Sequence, residues 1–413
     1  MGVFAQLKIS NAPVLFMENQ VHPDLLQLFT PAEREENAVP FPGQDPALKE
    51  QDLEKVHTYE YRSTAGFLCD RLDVIGFTLA RVQKVFATFK RRRRSYLPVL
   101  QFEAWQRHID YLTQHGLTSW NLKTPANLQR CPAEQLKDWD QQGYPELDEL
   151  LSPKQTNTHL GFPIEDYDPR YCWRALLSSV SRNSEVVLDY SELVNAGYYE
   201  TADLFAEHQP SPHEQFAVQT TILTEGPTDR QVIKNSLRCR YPHLAHLYQF
   251  LDFHGNASTA RELGNLVKAF AACRLEGRFI AIFDSDTAGL ETHQELLQLE
   301  LPGNIKVLTL PPLELASRYP TFGPMGELAE MDVNNLACGL EMYLGETVLR
   351  GRSGQLAKVH WTGYNKRMKR YQGELLDKAW LREVFLVAVE RDPEAIDWTG
   401  IDSILKAIFD AFN

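Results

Sequence analysis

Two short acidic clusters carry the chemistry this sequence can do. One is Glu225-Gly226-Pro227-Thr228-Asp229 and the other is Asp284-Ser285-Asp286. Four carboxylates brought together at neutral pH repel one another, and a divalent cation between them offsets that repulsion. Hard oxygen donors favour Mg²⁺ or Mn²⁺ over zinc. An ion held in this way polarises a phosphate and lowers the pKa of a bound water, which is the chemistry of phosphoryl transfer. Glu-Gly and Asp-x-Asp are each common, so the weight lies in where the chain places them.

The elements around them are legible. Residues 217–224 are rich in β-branched side chains and short enough for a buried strand, which delivers Glu225 at its carboxyl end. Gly226-Pro227-Thr228 breaks the extended run, and 229–237 resumes with apolar residues at helical spacing. A strand at about 247–253 and a helix at about 258–274 follow. Residues 278–283 then run straight into Asp284-Ser285-Asp286, a helix covers about 288–297, and a strand spans 305–310. Near-continuous apolar strands alternating with helices predict a parallel sheet covered on both faces. Such sheets place their chemistry at the carboxyl ends of the strands, where both clusters fall.

Glu225, Asp229 and the Asp284-Ser285-Asp286 triplet, set at two strand ends with a βαβ unit between them, resemble the Toprim domain of topoisomerases, primases and OLD-type nucleases. The resemblance implies a Rossmann-like α/β domain in which the glutamate is a general acid/base or metal ligand and the Asp-x-Asp pair holds the metal. Those roles fall on Glu225, Asp229, Asp284 and Asp286. The segment 331–344 reads as helix or strand-to-helix and is similar to the acidic, aromatic stretch after the last strand of such proteins. An extra carboxylate can join the metal shell there, with Glu341 the first candidate and Asp332 the second. The segment 371–378 resembles one in which a lysine stabilises transition-state charge, which points to Lys378, whose bland alternative is a surface lysine at a helix start. With water as nucleophile the outcome is hydrolysis of phosphodiester bonds, in DNA, RNA or transfer RNA. Topoisomerases and primases need accessory domains or zinc-type cysteine spacing that this chain lacks.

Toprim nucleases of this layout often serve prokaryotic anti-phage defence with a partner, commonly an ATPase. The chain has no Gly-x-x-x-x-Gly-Lys-Ser/Thr of its own. Two rival readings stay open: a non-catalytic Toprim subunit that binds nucleic acid or regulates a defence complex, and an enzyme acting on a small nucleotide or phosphoester. A homo-oligomer is also open.

At 413 residues the chain has room for two or three domains. The reading divides it into an amino-terminal domain at 1–210, serving positioning or partner binding, and a Toprim domain with a helical extension at 215–413. The linker is placed at 207–214, around Pro210 and Pro212. With 43% hydrophobic and 23% charged residues it has globular composition. It shows neither a signal peptide nor a run of eighteen apolar residues, so the expectation is a cytoplasmic protein away from membranes. Its six scattered cysteines read as buried thiols. A net charge of −13 argues against nucleic-acid binding by the whole surface. Positive charge gathers at 90–94 and within 358–378, where Lys366, Arg367, Lys369 and Arg370 lie. Each is either a phosphate grip or a solvated face.

The amino-terminal half reads as a mixed, mainly helical domain carrying a small β-hairpin. The hairpin pairs 3–9 with 13–17, a loop-rich excursion covers about 22–54, and a helix capped by Thr78 runs to about Arg94. Past Trp105, Trp120 and Trp139, taken as core, Asp168-Pro169 starts a further helix. Met1-Gly2 leading into a strand, the 71–78 segment and the 186–194 segment resemble HEPN/Toprim-associated proteins. The HEPN ribonuclease spacing of Arg to His is met by Arg238 with His243 and Arg240 with His246, but both pairs span Pro242 outside an all-helical unit and read as coincidence.

Overall fold

The computed structural model describes residues 2–40, 55–92, 102, 106, 168–207, 219–252, 259–323, 325–350 and 354–413. The chain divides into two compact units, Met1–Gln209 and Pro210–Asn413. Three of the expectations above fall outside the described residues: the tryptophans Trp105, Trp120 and Trp139, the linker from 208 onward, and the side chains of the basic run at 90–94.

In the first unit the hairpin of β1 (Phe4–Ile9) and β2 (Ala12–Glu18) is one edge of a five-stranded antiparallel sheet. The sheet order is β2-β1-β5-β4-β3, with β3 at Arg34–Pro40, β4 at Lys55–Thr64 and β5 at Glu185–Asp189. So the sheet is larger than the hairpin expected, and part of the segment read as loop is β3. Its run Glu35-Glu36-Asn37 is exposed at the sheet edge, which is why no alternating apolar signal marks it. Strand β1 alternates strictly, burying Ala5, Leu7 and Ile9. Onto this face pack α2 (Ala65–Val74), α3 (Leu79–Arg92) and α4 (Pro169–Ser178), after the short α1 (Pro23–Leu26). Thr64 caps α2, Thr78 accepts the Arg81 N–H at the start of α3, and Asp168 caps α4 ahead of Pro169. The unit ends with α5 (Ser191–Asn195) and α6 (Leu204–Glu207).

The second unit is built on a four-stranded, all-parallel sheet of order β10-β8-β6-β7, as an α/β fold requires. Its strands are β6 (Thr220–Thr224), β7 (Tyr248–Phe250), β8 (Arg278–Phe283) and β10 (Ile305–Thr309). All five residues of β6 are buried. The helices between them are α7 (Pro227–Arg240), α8 (Ala260–Cys273) and α9 (Thr287–Leu297). Leu263 and Val267 of α8 and Leu296 of α9 share a core with Leu223, Phe279, Ala281 and Phe283.

A second sheet follows, of order β12-β11-β14-β15, formed by β11 (Tyr319–Phe322), β12 (Leu328–Met331), β14 (Val359–Asn365) and β15 (Arg370–Leu375). The structure thus adds two strands, β11 and β12, in the stretch that follows the predicted strand at 305–310. Segment 331–344 is strand-to-helix only in miniature: β13 (Ala337–Cys338) pairs with β9 (Ser285–Asp286), and a 3₁₀ turn at Leu340–Tyr343 follows. The chain closes with α10 (Glu346–Leu349), α11 (Lys378–Arg391) and α12 (Thr399–Phe409).

Of the cysteines expected to be buried, Cys69, Cys172 and Cys338 are, whereas Cys273 is exposed and Cys239 only partly covered, since both lie in the last turns of their helices. Cys131 lies outside the described residues. Among the described residues no helix is long and apolar enough to cross a membrane.

Candidate active site

The carboxyl ends of β6 and β8 lie side by side, with Thr224 in register with Ile282. Beyond β6 the Thr224 hydroxyl donates to the Gly226 carbonyl at 3.0 Å, turning the chain into α7 with Pro227 as its first residue. Glu225 reaches across to its neighbour, where Oε1 accepts the Asp284 backbone N–H at 2.9 Å. Asp229, in the first turn of α7, is buried beside it. Asp284 ends β8, and its Oδ1 accepts the Leu340 N–H at 3.1 Å. Asp286 caps α9 by accepting the Gly289 N–H at 2.7 Å. Gly289 is required there, because a Cβ would stand 2.3 Å from the Asp284 carbonyl oxygen.

A fifth acid arrives through the two-residue ladder of β9 and β13. By pairing Ser285 with Cys338 and Asp286 with Ala337, that ladder lays the 3₁₀ turn over Asp284. Glu341 is thereby carried to the cluster at 1% exposure. Gly339 lies against both Glu341 and Asp284: a Cβ there would stand 3.0 Å from Glu341 Oε2 and 3.1 Å from Asp284 Oδ2. Arg382 of α11 then pairs with both Glu341 and Asp229, the latter at 3.2 Å.

Burial and mutual repulsion set the electrostatics. Burial, then the charges of Glu225, Asp229, Asp286 and Glu341, push Asp284 well above the usual carboxylate range. Glu225 is raised to about 7, chiefly by burial, with the Asp284 N–H opposing and Asp286 and Asp229 adding to it. Asp229 is raised to about 6, again by burial first, although Arg382 pulls it down. The charge of Lys378, the first residue of α11, also lowers Glu225 and Asp229.

The structure thus brings Glu225, Asp229, Asp284, Asp286 and Glu341 into one neighbourhood, with Lys378 acting on it. Asp332 stands elsewhere: it is exposed, and its Oδ1 accepts the N–H and side-chain amide of Asn334 at 3.0 Å each, in a turn. Arg240, of the two HEPN-like pairs, is taken up by Asp402 at 2.7 Å and by the Trp398 ring. Sequence reasoning missed Arg382. Its one local signal is that it follows Lys378 by four residues and so shares its helix face. Gly339 was missed as well, since the need for a small residue there shows only once Asp284 and Glu341 are both packed against it.

As donors for a hard cation the five side chains are chemically apt: all are oxygen donors in a buried place where negative charge exceeds positive. The second oxygens of Glu225, Asp284 and Asp286 accept no hydrogen bond from the described residues. However, among the described residues no group of three acidic, histidine or cysteine side chains is drawn together closely enough to enclose an ion.

No curated protein and no solved structure matches the chain. The family model described as HEPN/Toprim N-terminal domain 1 matches residues 1–212, half of the molecule. That family carries a nuclease-like or nucleic-acid-related function at the coarse level. The acidic cluster lies in the other half, so the match and the site are independent observations on one chain, and the chain belongs to the HEPN/Toprim N-terminal domain 1 family.

Proposed function

We propose that this protein is a Toprim-type, metal-dependent nuclease that hydrolyses phosphodiester bonds at the rim formed by Glu225, Asp229, Asp284, Asp286 and Glu341. The observation that carries it is the arrangement of those carboxylates. Each has one oxygen engaged by the protein, with Asp284, Leu340 and Gly289 N–H groups on three of them and Arg382 on two. Groups held in this way are pre-oriented, and evolution of a stable fold alone would not gather five acids against two cations.

Mg²⁺ or Mn²⁺ is the group this donor set suits, held by Asp284 and Asp286 with Glu225, Asp229 and Glu341 around them. When bound, it would supply a water of lowered pKa and neutralise phosphate charge. The chain's own residues do the rest. Asp284 keeps its orientation through Leu340, and Asp286 keeps its own through the start of α9. Glu225, pinned by one oxygen, keeps the other for a proton in transit. Lys378, with no ion pair among the described residues, is available to a phosphate oxygen.

The test is cleavage of DNA and RNA with Mg²⁺, Mn²⁺ or chelator, comparing wild type with Glu225→Gln and Asp284→Ala, and with free nucleotides as control substrates. Cleavage that needs metal and is lost in both variants is expected. A non-catalytic subunit that binds nucleic acid is the second reading, favoured because no three acidic, histidine or cysteine side chains among the described residues stand close enough to enclose an ion. Binding that persists without cleavage, and is indifferent to metal, would establish it instead.

A role in prokaryotic defence, with an ATPase as partner, rests on the resemblance to OLD-type nucleases. Co-purification from the native host is its check.

A further inference from the structure

We infer that the hairpin of β14 and β15 seats unpaired nucleotides and presents single-stranded nucleic acid, not duplex, to the acidic rim; this rests on the nuclease reading above. Directly opposed residues of an antiparallel pair share a face. Trp361 opposes Gly373, and beyond a bulge Tyr364 opposes Tyr371, so the three aromatic rings fall on one face. They form a ladder, with centroids 6.0 Å apart from Trp361 to Tyr371 and 5.3 Å from Tyr371 to Tyr364. Trp361 is anchored in the core at 7% exposure, while Tyr371 and Tyr364 stand open at 55% and 52%. Cross-strand tyrosines can stabilise a hairpin without any ligand. What that role leaves unexplained is where this pair stands and what surrounds it.

Its place is next to the site. The Thr287 hydroxyl, one residue after Asp286, donates to the Tyr371 carbonyl at 2.6 Å. Its surroundings are cationic. The turn between the strands carries Lys366, Arg367 and Lys369. Arg367 is held by Glu291 and Glu295, at 3.1 and 2.6 Å, but Lys366 and Lys369 are exposed and make no ion pair among the described residues. Open aromatic rings with unengaged lysines beside them match a base face and its phosphate. In a duplex the base faces are already stacked on one another, so a ring ladder gains nothing from it. Within this acidic protein the hairpin thus sets attraction for polyanions beside Thr287, the residue after Asp286.

The experiment uses the full chain carrying Glu225→Gln, so that bound nucleic acid stays intact. Affinity is measured for a fluorescent oligothymidine and oligouridine of about 16 nucleotides and for a blunt duplex of the same length. Tyr364→Leu and Tyr371→Leu are each expected to weaken single-strand binding by about tenfold, with Tyr→Phe at either position restoring it. Lys366→Ala and Lys369→Ala should each reduce the slope of log affinity against log salt by about 0.7. Equal affinity in the Leu and Phe variants overturns the inference, as does duplex binding that falls by the same factor. If wild type cuts nothing but tyrosine-dependent binding persists, the nuclease reading fails and the hairpin's role stands. If cleavage depends on Glu225 while the Leu variants keep their KM, the reverse holds.

Discussion

In the amino-terminal unit a buried cation meets a matched acid. Arg71, at 2% exposure, donates to both oxygens of Glu33 at 2.8 and 3.0 Å and to the Leu28 carbonyl at 2.7 Å. Arg174 holds Asp73 by two bonds at 2.7 and 3.0 Å, and Lys8 holds Asp189 at 2.6 Å. In the carboxy-terminal unit five acids crowd together, and Arg382 is shared between two of them. The consequence appears in the acids themselves. Burial alone would raise Asp189, but Lys8 and Ser191 outweigh it and leave it below its ordinary value, whereas Glu225, Asp229 and Asp284 are all raised. The acids named in the first unit are each matched by a cation and those of the cluster in the second are not, which is the pattern on which the proposed site rests.

The sharpest way to break this contrast is to remove one partner on each side. Arg71→Leu leaves the Glu33 carboxylate, still hydrogen-bonded by Thr30 and Ser63, without this cation and the Leu28 carbonyl without this donor, and should cost about 3 to 5 kcal/mol by chemical denaturation. Asp284→Asn removes a charge that four neighbours oppose and should leave the chain as stable or more so. Equal losses for the two substitutions would dissolve the distinction. Gly289→Ala comes next, with an expected cost of about 1 to 3 kcal/mol, because the new methyl meets backbone that cannot rotate away. It should also displace Asp284 and abolish any cleavage, which thermal melts and an activity assay on one preparation would show together.

The parallel sheet and both acidic clusters were legible because β6, rich in β-branched residues, and β8, nearly all apolar, are buried strands that run straight into acids. The elements that escaped are those whose residues carry no local pattern. Strand β3 is a polar edge, and β13 has two residues and exists only because β9 is there to pair with. Arg382 escaped for a related reason: sharing a helix face with Lys378 does not give an arginine a role until folding brings its acids to it, and Asp229 is 153 residues away. Glu341 was found by resemblance, and the ladder that explains its position was not.

The pH dependence of stability should differ in sign between the units. Asp189 and Asp168 sit below the unfolded value of 3.8, so their contribution is present above it and is lost as pH falls through the folded values. Glu225 and Asp229, raised to about 7 and about 6, contribute stability that is full below their unfolded values and is lost as pH rises through that range. Hydrogen exchange between about pH 5 and 8, with rates corrected for pH, should show β8 loosening while β5 is unchanged. Saturating Mg²⁺ should flatten the β8 response.

The smallest effect separates the two jobs of Asp286, which caps α9 through Gly289 and belongs to the cluster. Asparagine keeps a carbonyl oxygen for the cap and loses only the charge, so Asp286→Asn should melt within a few tenths of a kcal/mol of wild type while losing cleavage. Alanine loses both and should melt about 1 kcal/mol lower. If Asn and Ala melt alike, the cap contributes nothing and the side chain is held for chemistry alone. If Asn retains cleavage, Asp286 belongs with the structural acids of the first unit, and the contrast between the two halves narrows to Glu225, Asp229, Asp284 and Glu341.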